Sequence, residues 1–146
     1  MKFEISKAIL LEGLQKVLNV VSLRSTLPIL SNVLMNTTKN SLTLTTSDLE
    51  VSVRCKIDAK TQKNGSTTIP ARRLSSIVRE LPESTIQIES DDKDNTTVTC
   101  GSSFFKIVGL SKDEFPSLPK VEGKNSYTIE QRSFREMLRK ISYAAS

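Results

Sequence analysis

The residue types that most often carry out catalysis are scarce in this sequence. Histidine is absent, which removes the usual general base near neutral pH and the commonest metal ligand. Cys55 and Cys100 lie in alternating strand patterns, without the spacing of a zinc site or a convincing disulfide. The five glycines form no phosphate-binding loop. We therefore expect no catalytic residue, metal site or cofactor.

Carboxylates could still support metal or acid-base chemistry if they were grouped. Asp91, Asp92 and Asp94 are grouped, but they lie between two strand patterns and lack the ligand spacing of a calcium loop. That position indicates a solvated hairpin turn. An enzyme such as a nuclease would need clustered carboxylates on a basic face, whereas the acidic residues of the predicted helices are scattered: Glu12, Glu80 and Glu136.

Positive charge is concentrated on three predicted helices, residues 7–21, 72–81 and 131–145. They carry nine Lys and Arg against three Glu, a net charge of +6, so the rest of the +5 chain carries −1. Solvated helices often simply display basic residues, but usually beside acidic residues four positions away. A surface of one charge sign attracts the phosphate backbone of nucleic acid. Without a recognition-helix motif or stacking aromatics, such binding should not depend on base sequence.

The elements that position these charges follow from hydrophobic periodicity. Residues 7–21 have apolar residues at helical spacing, with Ser6 available as N-cap. Residues 29–35 predict a strand, and residues 42–45 and 51–57 alternate between apolar and polar as strands of an antiparallel sheet do.

The same order then starts again after a turn at residues 64–66. A strand at 67–69 precedes a helix that Pro70 opens and Pro82 ends, and three strand patterns follow near Ile88, Val98 and Ile107. We predict an α+β fold of two strand-helix-three-strand repeats. The two helices should pack together on one side of antiparallel sheets, whose backs face water.

A longer repeat sets the predicted domain organisation. At an offset of 124, five positions are identical: Ile5/Ile129, Glu12/Glu136, Leu14/Leu138, Lys16/Lys140 and Ser22/Ser146. Such a period indicates duplicated domains. We expect a first domain at 1–116, an extended linker at 117–125 and the truncated start of a second domain at 126–146. Without an apolar run of membrane-span length or a signal peptide, we expect a cytoplasmic protein that does not bind membranes.

Several motifs together resemble one known family. They are residues 1–3 (MKF), 24–32 (RSTLPILSN), 44–50 (LTTSDLE), 68–73 (TIPARR) and 115–119 (FPSLP). The whole chain is similar to the beta subunit of bacterial DNA polymerase III, the sliding clamp, over domain one of three and the beginning of domain two. The resemblance implies a DNA-clamp fold and a head-to-tail homodimeric ring around duplex DNA. It also implies that the full-length protein binds the replicative polymerase and the clamp loader.

The resemblance also implies roles for individual residues. Arg24 and Arg73 match family positions that contact DNA, while Phe105 and Ile107 match apolar positions on the edge strand at the subunit interface. Alternation equally predicts Phe105 and Ile107 as plain core residues. Family members often have basic residues near three positions where this chain has Leu74, Ser102 and Phe104. The function implied is a processivity factor without chemistry of its own, and the alternative is a stand-alone nucleic-acid-binding module.

Overall fold

The computed structural model describes residues 1–21, 27–118 and 127–145. The described chain contains two antiparallel sheets, three α-helices and short 3-10 helices. The strands are β1 (Lys2–Ser6), β2 (Asn32–Thr38), β3 (Ser41–Ser47), β4 (Ser52–Asp58), β5 (Lys60–Lys63), β6 (Gly65–Pro70), β7 (Thr85–Ser90), β8 (Asn95–Cys100) and β9 (Ser103–Val108). The α-helices are α1 (Lys7–Leu18), α2 (Ala71–Glu80) and α3 (Gln131–Ile141). The predicted α+β class is confirmed.

The two halves of residues 1–118 exchange their first strands. One sheet has the order β5-β1-β7-β8-β9 and the other has the order β4-β3-β2-β6. Strand β1 therefore pairs with β7 of the second half, with Phe3 opposite Ile88, while β6 pairs with β2 of the first half. Each helix follows directly after an exchanged strand, so the exchange brings both helices to the junction of the two sheets.

The helices pack against each other, as predicted, and against the inner faces of the sheets. Helix α1 packs on β3 and β4, and α2 packs on β2 and β6. Ser6 is the N-cap of α1, because its Oγ accepts a hydrogen bond from the Ile9 amide at 3.4 Å. At the other end, the Thr46 hydroxyl donates to the Val17 carbonyl at 2.7 Å. This bond satisfies a carbonyl that the helix itself leaves free.

Apolar side chains from both sheets and both helices form one main core. In the five-stranded sheet, a row of facing residues crosses four strands in register, from Phe3 through Ile88 and Val98 to Phe105. Leu10 and Leu14 of α1 and Leu74 and Val78 of α2 are fully buried in this core (the helical periodicity of the sequence predicts all four). These contacts fix the distance between each helix and the sheets.

Three local predictions were wrong. Pro28–Ser31 is a 3-10 helix rather than the start of a strand, since Pro28 fixes a turn conformation and Leu30 N–H bonds the Leu27 carbonyl at 3.1 Å. Lys60–Lys63 forms an additional strand, β5, whose wholly polar sequence KTQK shows no alternation. Helix α1 ends at Leu18 and does not continue to position 21 as predicted. The Val21 amide donates a hydrogen bond to the Leu18 carbonyl at 3.1 Å, which forms a turn after the helix.

The prediction that the sheet backs face water holds for β4 but not for β2. On β4, Arg54 and Lys56 are exposed on the face opposite the helices. Behind β2, a second apolar cluster of Ile29, Leu30 and Phe115 packs against Leu34 and Leu110. The residues just before β2 and those after β9 thus cover part of that face of the sheet.

Helix α3 is exposed along its whole length, including Phe134, Met137, Leu138 and Ile141. Most of the predicted linker, 117–125, lies outside the described residues, so the predicted domain boundaries stay predictions. No helix in the described parts of the chain is long and apolar enough to cross a membrane.

Shortening Leu14 to alanine should destabilise the fold by about 2–5 kcal/mol, because it leaves a cavity beside both helices and the sheets. Ile9→Ala, on the same helix at a position 40% exposed, is the matched control and should cost no more than about 0.5 kcal/mol. Urea unfolding of both variants measures the difference. Equal losses would show that the core does not depend on α1.

Candidate nucleic-acid interface

Helix α2 presents the clearest basic surface of the described residues. Its apolar side is buried through Ala71, Leu74 and Val78, which leaves Arg72, Arg73 and Arg79 exposed. Within the ranges that the structure describes, none of these three arginines forms an ion pair with a carboxylate. Their charges are therefore available to a partner. Arg73, which the resemblance assigned to DNA contact, lies on this surface.

Helix α1 contributes less positive charge than its sequence predicts. The Lys7 side chain is mostly buried, and its ammonium donates to the Leu81 carbonyl at 2.6 Å and pairs with Glu83 at 3.0 Å. A cation at this place stabilises the C-terminal end of α2. Lys7 thus joins the two helices, and the expectation that it belongs to a basic face is wrong.

The other lysine of α1 is neutralised on the surface. Lys16 Nζ lies 2.7 Å from Glu12 Oε1, one helical turn away. The hydrogen bond and the charge of Lys16 lower the pKa of Glu12, and the same contact raises the pKa of Lys16. Both groups are consequently charged at neutral pH and cancel each other. The free positive charge of the helix pair lies on α2.

Helix α3 has a similar excess of basic residues on an exposed helix. Arg132 lies 3.6 Å from Glu136, whereas Arg135, Arg139 and Lys140 have no ion-pair partner among the described residues. Arg24, the other residue that the resemblance assigned to DNA contact, lies outside the described residues. Its assignment stays a prediction.

One edge of the five-stranded sheet is β9, which contains Phe105 and Ile107; the other edge is β5. Both face the core side, but their burial differs: Phe105 is 37% exposed at the end of the apolar row, and Ile107 is only 2% exposed. Ile107 therefore contributes to the core with its side chain and to the edge with its backbone. Their predicted interface role stays a prediction.

Sequence reasoning missed two exposed apolar residues on the outer face of β9. Phe104 is 65% exposed and Val108 is 67% exposed, and Lys106 lies between them on the same face. Strict alternation from the buried Ile107 could have found them, since neighbours of a core residue point outward.

The structure explains why this chain has Leu74 where family members often have a basic residue. Leu74 is fully buried in the core, and a charge there would lose its hydration.

The acidic turn is structural, as predicted. Asp91 Oδ1 accepts hydrogen bonds from the Lys93 and Asn95 amides, both at 2.9 Å, and Oδ2 accepts one from the Asn95 side chain at 3.0 Å. The bonds from Asn95 lower the pKa of Asp91. Asp94 accepts a hydrogen bond from Thr67 at 2.8 Å. These carboxylates hold the hairpin and its contact with β6.

Comparison with known proteins covers both halves of the domain. A family model described as the N-terminal domain of the DNA polymerase III beta subunit matches residues 1–119. The beta sliding clamp of Chlamydia muridarum is 36% identical over 146 residues, which is 100% of this chain and 40% of that protein. The beta sliding clamp of Synechocystis is 38% identical over 154 aligned positions, covering 100% of this chain and 39% of that protein.

Solved structures give the same result. The pol III beta structure of Caulobacter crescentus superimposes with a TM-score of 0.93 at 30% identity, covering 100% of this chain and 40% of that one. The Pseudomonas aeruginosa beta subunit has a TM-score of 0.89 at 33% identity, covering 95% of this chain and 38% of that one. The chain spans about 40% of the length of these curated relatives. On the family match, the sequence identities and the shared two-sheet architecture, this chain belongs to the DNA polymerase III beta subunit family.

Proposed function

We propose that this chain supplies the first domain, and the beginning of a second, of a sliding clamp that encircles duplex DNA. The observation that carries the proposal is the exposed face of α2, where three arginines have no acidic partner among the described residues. The family membership of the chain supports a clamp over other nucleic-acid-binding proteins. In a clamp, such helical faces line the hole.

The clamp acts by topology and performs no reaction itself. A closed ring cannot leave the duplex sideways, so the individual phosphate contacts need only be weak and independent of base sequence. Weak contacts of this kind also permit sliding along DNA. In the longer protein, the polymerase and the clamp loader would be the partners, and the cytoplasm of a bacterium would be the location.

The free edge of β9 is the proposed subunit interface. Its unpaired backbone groups can extend the sheet into a neighbouring subunit, and the half-exposed Phe105 lies at that edge. Ile107 supports the edge from the core. In a head-to-tail ring the complementary surface belongs to another domain, so two copies of the first domain do not complete the interface.

Duplex binding by the 146-residue chain should be weak and independent of sequence. We expect a Kd on the order of 10⁻⁴ to 10⁻⁶ M at physiological salt, equal for unrelated duplexes, because binding rests on phosphate contacts without enclosure. Fluorescence anisotropy with two labelled duplexes measures it. Nanomolar, sequence-selective binding would instead favour a stand-alone module.

The double change Arg24→Ala with Arg73→Ala should reduce the salt dependence of duplex binding. The slope of log K against log salt should fall in magnitude by roughly 2, about one unit for each lost phosphate contact. The matched control is Arg54→Ala with Lys56→Ala, which removes the same charge from the face of β4 opposite the helices. Equal effects of the two pairs would mean that net charge, and not the helical face, determines binding.

The 146-residue chain should be monomeric or weakly self-associated at micromolar concentration. The β9 edge is available, but in the proposed head-to-tail ring its complementary surface belongs to another domain. Light scattering over a concentration series measures the state. A tight, closed ring assembled from this chain alone would contradict the proposed head-to-tail arrangement.

A further inference from the structure

A single exposed residue, Asn64, connects β5 to β6, and Gly65 follows it as the first residue of β6. Strand β5 pairs with β1 in the five-stranded sheet, whereas β6 pairs with β2 in the four-stranded sheet. Asn64 is therefore the residue at which the chain passes from one sheet to the other. Asparagine is also among the residues that change chemically with time and heat. Its side chain cyclises fastest when the next residue is glycine, because a side chain there hinders the attacking amide nitrogen.

Packing favours a residue without a side chain at position 65. A Cβ atom placed on Gly65 would lie 3.1 Å from Cβ of Met1, 3.2 Å from its Cα and 3.3 Å from its amino nitrogen. Met1 is held in place, because it is only 7% exposed and its carbonyl accepts a hydrogen bond from the Ser90 amide at 2.8 Å. The close approach of two backbones thus explains the glycine. It also leaves Asn64 with the least hindered neighbour.

The Gly65 amide, which would react with Asn64, is held by Thr37. The amide donates a hydrogen bond to Thr37 Oγ1 at 3.1 Å, and the Thr37 hydroxyl donates to the Gly65 carbonyl at 3.1 Å. Thr37 lies opposite Gly65 in the β2–β6 ladder and is 2% exposed. Cyclisation requires the amide nitrogen to lose its proton and to approach the Asn64 side chain. The bonds to Thr37 must therefore open before the reaction can occur.

We propose that Asn64 is a site of spontaneous deamidation and that the Thr37 hydroxyl controls its rate. The Gly65 nitrogen gives its proton to hydroxide and attacks Cγ of Asn64. The Cγ–Nδ2 bond breaks, and Nδ2 takes a proton from water and leaves as ammonia. Water then opens the resulting succinimide ring at one of its two carbonyls, which gives aspartate or isoaspartate. The net reaction consumes one water and requires no metal, cofactor or oxidant.

The reaction would alter the connection between the two sheets. In isoaspartate the main chain runs through the side-chain carbon, so one methylene is added between β5 and β6. Gly65 cannot then keep both its bonds to Thr37 and its contact with Met1. Four aspartates and two lysines line the pocket that Asn64 borders, so the new carboxylate also adds to an acidic surface. Both changes loosen the junction at which the first strands of the two halves exchange.

The rate at Asn64 can be measured by incubating the 146-residue chain at mildly alkaline pH and analysing its peptides by mass spectrometry and an isoaspartate assay. The folded chain should deamidate much more slowly than the chain in urea, because only locally opened molecules react. Thr37→Val removes the hydroxyl and should raise the rate in the folded chain several-fold. Thr37→Ser keeps the hydroxyl and should retain the slow rate.

The matched control is Thr97→Val, which removes a threonine hydroxyl from β8 in the other sheet and should leave the rate unchanged. Leu14→Ala is the control for global stability, since it weakens the core but keeps the Thr37 hydroxyl. Its rate in the folded chain should stay below that of Thr37→Val. In urea, all variants should react equally fast.

Three results would overturn the proposal. Equal rates in the folded and the urea-unfolded chain would show that the fold does not protect Asn64, and this comparison needs no variant. A rate in Thr37→Val equal to that of the unmodified chain, or matched by Leu14→Ala, would show that the hydroxyl does not control the reaction. A lack of aspartate and isoaspartate at position 64 even in urea would show that Asn64 is not a deamidation site.

Discussion

The exchange of first strands between the two halves is the constraint on which the rest of the domain depends. Strand β1 lies between β5 and β7 and pairs with β7 of the second half, while β6 of the second half completes the sheet of the first half. Neither half can complete its sheet alone, and neither helix can bury its apolar face alone. Folding must therefore bring together residues more than 60 positions apart, such as Phe3 and Ile88. The helix pair and its exposed arginines are consequences of that assembly.

The burial of Lys7 shows how the same assembly divides the basic residues into two groups. Lys7 holds the beginning of α1 to the end of α2 through Leu81 and Glu83, so its charge stabilises the helix pair. The exposed arginines of α2 form no ion pair within the described structure. Unpaired exposed charges add little to the stability of the domain, and they leave α2 with a surface that attracts anions. The charge that joins the two helices and the charges that stay free of ion pairs thus lie on neighbouring helices.

The two proposed contact surfaces lie on different elements and rest on different physics. The proposed duplex contact uses α2, where long-range charge attraction would suit a partner that must slide. The proposed subunit contact uses the edge of β9, where directional backbone hydrogen bonds and the half-exposed Phe105 would suit a partner held in one register. The apolar row from Phe3 to Phe105 supports that edge from the core. A clamp requires this combination of a permissive inner surface and a specific lateral one.

The sequence by itself determined the helices that contain Leu14 and Leu74 and the alternating strands, because these have strong local periodicity. It also determined the Ser6 cap and the Asp91 turn, which depend on residue type at one position. Its motifs also indicated the family and, through it, Arg73, and its charge distribution indicated a basic face on the helices. Only the tertiary structure decided which strands pair, that Lys7 is buried, that KTQK becomes a strand and that Ile107 is buried while Phe105 is half-exposed. Periodicity reports the neighbours of a residue along the chain, whereas pairing and burial depend on distant residues that only the folded chain brings together.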